Sequence, residues 1–209
     1  MDTGFFLDWI AGAAAVISSC RDHLTQLDSA IGDADHGVNL DRGFAAACAA
    51  LSRQRPVTPG AVLTLTGSTL IPQVGGASGP LYGAAFRAAG QALGAAAEVD
   101  PRALAAALEA ALDGVRELGA SREGEKTMVD ALAPANRALN DALARGLRLP
   151  DALAALTAAA EAGARATVPM RALKGRASYL GPRSVGHEDP GARSASLILG
   201  ALRDAAAAR

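Results

Sequence analysis

Aromatic side chains are scarce in this chain, at 3% of its 209 residues. A core with so few large rings must be closed by small aliphatic groups. Alanine supplies much of the 50% hydrophobic content, and alanine favours helix. Cysteine is scarcer still. Cys20 and Cys48 fall on predicted helices, with the spacing of neither a metal site nor a disulfide framework, and they read as buried free thiols. An excess of either charge is also lacking. A net charge of −1 leaves no electrostatic footprint for nucleic acid or an anionic membrane. No apolar run is long enough to span a bilayer. The opening MDTGFFLDWIAGAAAV carries acids where a signal peptide needs basic residues. These absences predict a soluble, cytoplasmic protein with no nucleic-acid and no membrane partner.

Period-two alternation is absent and β-branched residues are sparse, so no strand is expected. What is present is helical spacing. Phe5, Trp9, Ala13, Val16, Cys20, Leu24 and Leu27 predict one amphipathic helix to about Leu27. Further helices are expected over 38–51, 59–74, 81–97, 101–118, 125–147, 150–170 and 191–208. Thr58-Pro59 and Asp100-Pro101 look like N-caps with proline at the first helical position, and Pro134 should kink its helix. The expectation is an all-α antiparallel bundle of eight helices, a single domain over 1–209, which is length enough for one core. Residues 174–190 read as a long ordered loop. The segments richest in chemistry, 28–39, 75–80, 119–127 and 174–191, come at alternate helix junctions. In an up-and-down bundle alternate junctions share one end, so these four are expected to meet.

LDSAIGDADHGVNLDRG, residues 27–43, crowds Asp28, Asp33 and Asp35 into a glycine-flanked loop. Carboxylates are hard ligands suited to Mg²⁺ or Ca²⁺. An EF-hand does not fit, because Val38 stands where its glycine belongs and Phe44 where its glutamate belongs. The alternative is that Asp28 and Asp33 cap helix ends. In GGASGP, residues 75–80, the backbone amides, Ser78 and a following helix N-terminus suit a phosphate; the plainer reading is a turn. Residues 119–127 nearly imitate a Walker A loop, but Glu125 separates the glycine from Lys126 and no strand precedes it. Met128 reads as core or as packing on a flat ring. Arg176, Arg183 and Arg193 offer forks suited to phosphate. His187 reads as a ligand or as a hydrogen-bonded surface histidine. A cation site beside an anion site is the arrangement that phosphoryl transfer requires.

LDSAIGDADHGVNLDRGF, VGGASGPLYG, EGEKTMVDALAPA and ATVPMRALKGRASYLGPRSVGHEDPGARS, in that order and over nearly the whole chain, resemble the nucleotide-binding L subunit of dihydroxyacetone kinase. The resemblance implies an antiparallel eight-helix barrel with the nucleotide at one end. It implies that Asp28, Asp33 and Asp35 bind two Mg²⁺ ions on the phosphates of ADP or ATP. It places His36, Gly37, Val38, Asn39, Ala77, Ser78, Gly119, Met128, Arg176, Asp189, Pro190 and Gly191 at the nucleotide, with Met128 beside the adenine. No residue of this chain is implied as a covalent nucleophile. The implied partner is a K subunit that holds dihydroxyacetone through a histidine.

Two departures stand out. The usual GDGDHG reads GDADHG, with Ala34 for glycine, which strains the loop if φ is positive there and is neutral otherwise. The usual Gly-Asp-Lys-Thr-Met reads Gly-Glu125-Lys126-Thr127-Met128, which keeps the charge. The related fatty acid kinase domain typically carries threonine where His36 stands, so His36 favours the dihydroxyacetone branch.

Three functions follow in order of expectation. First is an ADP-holding subunit whose bound nucleotide is rephosphorylated in place by a phosphohistidine protein of the phosphotransferase system, a reading that the free-standing length supports. Second is the L half of a split ATP-dependent kinase for dihydroxyacetone or another small ketose or sugar alcohol. Third is a nucleotide-state module that binds a transcription regulator; intact Asp28, Asp33 and Asp35 argue against that as the sole role, though not as a second one. A second copy of the chain, in a homodimer, is a further candidate partner.

Overall fold

The helical spacing is realised along the whole chain. A computed structural model describes residues 1–209 and contains helices α1 (Thr3–Ser19), α2 (Arg21–Ile31), α3 (His36–Gln54), α4 (Pro59–Gln73), α5 (Ser78–Leu93), α6 (Pro101–Gly119), α7 (Val129–Ala144), α8 (Leu149–Ala166) and α9 (Pro190–Ala207). A 3-10 helix, Arg176–Ser184, precedes α9, and there is no strand. No single helix is long and apolar enough to cross a membrane.

Four helices start on a side-chain cap. Asp2 accepts from the Phe5 amide, Thr58 from Ala61, Asp100 from Ala103 and Asp189 from Ala192. Proline follows Thr58, Asp100 and Asp189 at the first helical position, where its missing N–H costs nothing.

The count differs from the eight expected because the first helix breaks at Cys20, where α1 and α2 meet at 64°. The apolar repeat runs through the break, so spacing alone does not reveal it. The two pieces face different surroundings. α1 buries Phe5, Phe6, Trp9, Ile10, Ala13 and Ile17, whereas α2 buries only Leu24, Asp28 and Ile31 and packs on α3, α9 and the 3-10 helix. Asp28 therefore stands in the last turn of α2 and not in the loop. The helix expected from Glu125 begins at Val129 instead. Asp130 holds the amides of Gly124 and Thr127 with its two carboxylate oxygens and keeps that segment a turn.

Apart from α2, each helix packs on the next, and α9 returns to α1, so α1 and α3 to α9 form a closed ring of helices. The four phenylalanines and the single tryptophan make one cluster inside it. Phe5–Phe6, Phe6–Trp9, Trp9–Phe86 and Phe44–Phe86 have centroids 5.3, 6.1, 5.7 and 6.1 Å apart. Elsewhere the helices close on small residues. A Cβ added at Gly67 of α4 would lie 2.6 Å from the Gly83 carbonyl of α5, so those two backbones touch only because both residues are glycine.

Candidate functional site

At one end of the ring the junctions α2–α3, α4–α5, α6–α7 and α8–α9 converge on a cleft of about 500 Å³. These are the four chemistry-bearing segments named above, and α3, α5, α7 and α9 all start at this end. Helix N-termini present unpaired N–H groups and a partial positive charge. The cleft therefore has an anion-favouring side, and the carboxylates supply the opposite charge.

One ligand atom from each of Asp28, Asp33 and Asp35 lies within 4.8 Å of the others. Asp28 is buried, Asp35 half-buried and Asp33 exposed. Asp28 Oδ2 accepts from the amides of Asp35 and His36, at 2.9 and 3.2 Å. It thus caps the start of α3 from the neighbouring helix while its carboxylate faces the other two. The capping and metal readings coexist in one side chain. A Cβ at Gly32 would stand 2.0 Å from Asp28 Oδ1, so a glycine is required for that carboxylate to fold over the turn. Ala34 sits at φ +62, in the left-handed region where an L-residue is strained. Arg176 Nη2 lies 3.1 Å from Asp33 Oδ2, a cation already paired with the cluster. Hard oxygen donors at this spacing fit a Mg²⁺-sized ion with solvent access.

Facing the acids, α5 begins at Ser78 with no side-chain cap, so its first amides are free for a ligand. His36 opens α3 and its ring reaches α5 and α9. Its Nδ1 is 3.1 Å from Ser78 Oγ and its Nε2 is 2.8 Å from Ser194 Oγ. Burial lowers the His36 pKa, against the pull of Asp28 and Asp35, so the ring is neutral near pH 7. Tyr82 Oη, 2.6 Å from Ser194 Oγ, is pushed up by complete burial.

On the far side, Met128 is buried against the core and also lines the cleft. Lys126 is buried, has φ +61, and donates to the carbonyls of Thr167 and His187. It is a strut between segments and not a Walker lysine. Burial lowers its pKa, resisted by Asp189, Asp130 and Glu188. Burial pushes the Asp189 carboxyl up to about 7, against the Ala192 amide and Lys126.

Of the expected residues, Asp28, Asp33, Asp35, His36, Ala77, Ser78, Gly119, Met128, Arg176, Asp189, Pro190 and Gly191 line the cleft. Gly37, Val38 and Asn39 do not. Gly37 packs on α2, where a Cβ would meet the Arg21 carbonyl at 2.0 Å. Val38 points to solvent at 48% exposure. Asn39 accepts from Arg42 at 2.8 Å and lies under Gly75, which makes it a brace for the glycine loop. Arg183 is exposed and outside the cleft, Arg193 pairs with Glu188 at 2.7 Å, and the His187 ring is exposed. Lys174 and Thr127 line the cleft from within segments expected to meet there, whereas sequence reasoning missed Tyr82 as a lining residue and Ser194 behind it. A serine or tyrosine at a buried helical position carries no signal until its neighbours are known.

The family model described as the DAK2 domain matches residues 30–204. The PEP-dependent dihydroxyacetone kinase ADP-binding subunit DhaL of Escherichia coli is 40% identical, over 96% of this chain and 95% of that one. The chain belongs to the DhaL family. Membership makes it a subunit of a phosphotransferase. A Lactococcus lactis DhaL, named as the ADP-binding subunit of a PTS-dependent dihydroxyacetone kinase, is 35% identical over 96% of each chain. Among solved structures, the dihydroxyacetone kinase of C. freundii in complex with AMP-PNP and Mg²⁺ superposes with a TM-score of 0.72 at 30% identity. That match covers 98% of this DhaL-family chain but 34% of the larger protein.

Proposed function

We propose that this chain is the nucleotide-holding L subunit of a dihydroxyacetone kinase. It presents the phosphoryl group of a bound nucleotide to dihydroxyacetone on a separate K subunit. ADP acts as a resident cofactor, rephosphorylated in place by a phosphohistidine protein. The observation that carries this reading is the single cleft in which three clustered carboxylates face the uncapped start of α5. The naming of E. coli and L. lactis relatives as ADP-binding subunits supports it.

Asp28, Asp33 and Asp35 would hold two Mg²⁺ ions, which neutralise phosphate charge when bound. The α5 amides and the Ser78 hydroxyl cradle the phosphates, and Arg176, on leaving Asp33, pairs with a phosphate oxygen. Met128 and Pro190-Gly191 at the start of α9 flank the base. Every group is held by a helix end, so orientation and charge do the work and no covalent nucleophile is needed. A cytoplasmic location fits this role.

A second reading keeps the site and changes the donor and substrate. L-erythrulose kinase of Pectobacterium atrosepticum is 33% identical over 90% of this chain, which spans 34% of that protein. This favours a split ATP-dependent kinase for a small ketose as the alternative. The test is to combine the purified chain with its K subunit and dihydroxyacetone, and to compare free ATP with a phosphoenolpyruvate-driven relay. Turnover with the relay and none with ATP alone is expected. Turnover with free ATP alone selects the second reading, and no turnover with either donor removes both.

A further inference from the structure

From the wall of the cleft inward, Ser78, His36, Ser194 and Tyr82 form one line of hydrogen bonds across α3, α5 and α9. Ser194 is fully buried and does not line the cleft. Its Oγ is 2.8 Å from His36 Nε2, 2.6 Å from Tyr82 Oη and 3.1 Å from the Gly191 carbonyl. A neutral imidazole has one donor and one acceptor, and each hydroxyl has one proton. The buried Tyr82 hydroxyl lies 2.6 Å from Ser194 Oγ and reaches the Gly191 carbonyl only at 3.4 Å, so the shorter contact is assigned as its donor bond. If Ser194 gives its own proton to the Gly191 carbonyl, its oxygen accepts from both Tyr82 and a His36 Nε2–H. His36 Nδ1 then accepts from the Ser78 hydroxyl at 3.1 Å, and all four of these contacts are hydrogen bonds. If Ser194 donates to Nε2 instead, its bond to Gly191 is lost and His36 must donate to Ser78. The first arrangement makes one more buried bond, and a buried bond forgone is costly.

We propose that Ser194, backed by Tyr82, fixes His36 as the Nε2–H tautomer, and that His36 Nδ1 thereby holds the Ser78 hydroxyl at the phosphate cradle. Ser194 is then a positioning residue that acts through His36 and Ser78. The consequence rests on the nucleotide reading above; the tautomer does not. Partners of this kind, one step behind the residues that touch a ligand, keep them oriented before the ligand arrives.

The test has two arms. The chain has three histidines, so the ring ¹⁵N signals of the unliganded protein at pH 8 can be assigned with a His36→Asn variant. His36 carries its proton on Nε2 in the unsubstituted chain and becomes a tautomer mixture in Ser194→Ala. Calorimetry with Mg·ADP then shows Ser194→Ala weakening binding by about tenfold, and the loss nearly vanishes when Ser78 is already alanine. Tyr82→Phe keeps the ring packed, moves both readouts the same way, and carries the test if Ser194→Ala does not fold. A proton on Nδ1 in the unsubstituted chain, or equal losses with and without Ser78, overturns the proposal. If the chain binds no Mg·ADP at all, the nucleotide reading fails, while the tautomer measurement still decides the network.

Discussion

Asp28 performs two tasks that a pair of substitutions separates. Its carboxylate belongs to the three-acid cluster, and one oxygen accepts the amides of Asp35 and His36 at the start of α3. Asp28→Ala removes both. Asp28→Asn removes the charge and keeps an acceptor. Losing a helix-start acceptor costs about 1 kcal/mol, within a range of roughly 0.5–2. The lost charge costs about 0.3–1 kcal/mol at a helix N-terminus, while relief of repulsion from Asp33 and Asp35 acts in the opposite direction. Both charge effects are common to the two variants and cancel in their difference. Asp28→Ala is therefore less stable than Asp28→Asn by about 1 kcal/mol, or roughly 2–4 °C in Tm for a chain of this size. Both variants lose Mg²⁺-dependent ADP binding. Thermal melts without nucleotide and calorimetry with Mg·ADP read the two effects. Equal melting temperatures refute the capping role, and Mg²⁺-dependent binding retained by Asp28→Asn refutes the metal role.

Further expectations come from neighbouring residues. Ala34→Gly relieves the strain at φ +62, worth about 1–2 kcal/mol against about 0.4–1 lost to a freer unfolded chain. Tm rises by a few degrees at most, with Mg·ADP affinity unchanged because the strain is present bound and free; a lowered Tm contradicts the left-handed assignment. Arg176→Ala removes the cation beside Asp33. Bare Mn²⁺, followed by electron paramagnetic resonance, binds slightly tighter, while Mg·ADP binds about tenfold weaker because a charged phosphate contact is lost; both affinities moving together contradicts this. Burial pushes the Asp189 carboxyl up to about 7 in the folded chain, well above the ordinary carboxylate range. The folded state holds that proton more tightly, so the contribution of Asp189 to stability is full below about pH 4 and is lost as pH rises towards 7. Asp189→Asn, which still caps α9, flattens that part of the unfolding profile, and an unchanged profile refutes it.

Helix was legible because apolar residues repeat at its period and because caps such as Thr58-Pro59 and Asp100-Pro101 are local. The meeting of the four loops was legible for a topological reason: short connections alternate the ends of an up-and-down bundle. The break at Cys20 was not, since both pieces keep the same apolar period and differ only in what covers them. Arg193 was read as an anion fork from its type alone, yet Glu188 takes it in the fold. Lys126 looked like a failed phosphate lysine and proved to be a buried strut between Thr167 and His187.

Residues close in the chain can disclose their joint chemistry, and by itself the sequence determined the acidic crowd of Asp28, Asp33 and Asp35, the glycine cradle at 75–80 and the all-α class. Only the tertiary structure decided that Asp28 both caps α3 and faces the other acids, and that Ala34 is strained. It alone brought Ser194 to His36 and Tyr82 to Ser194. These contacts join residues up to 158 positions apart, and at that distance only packing determines which side chains meet.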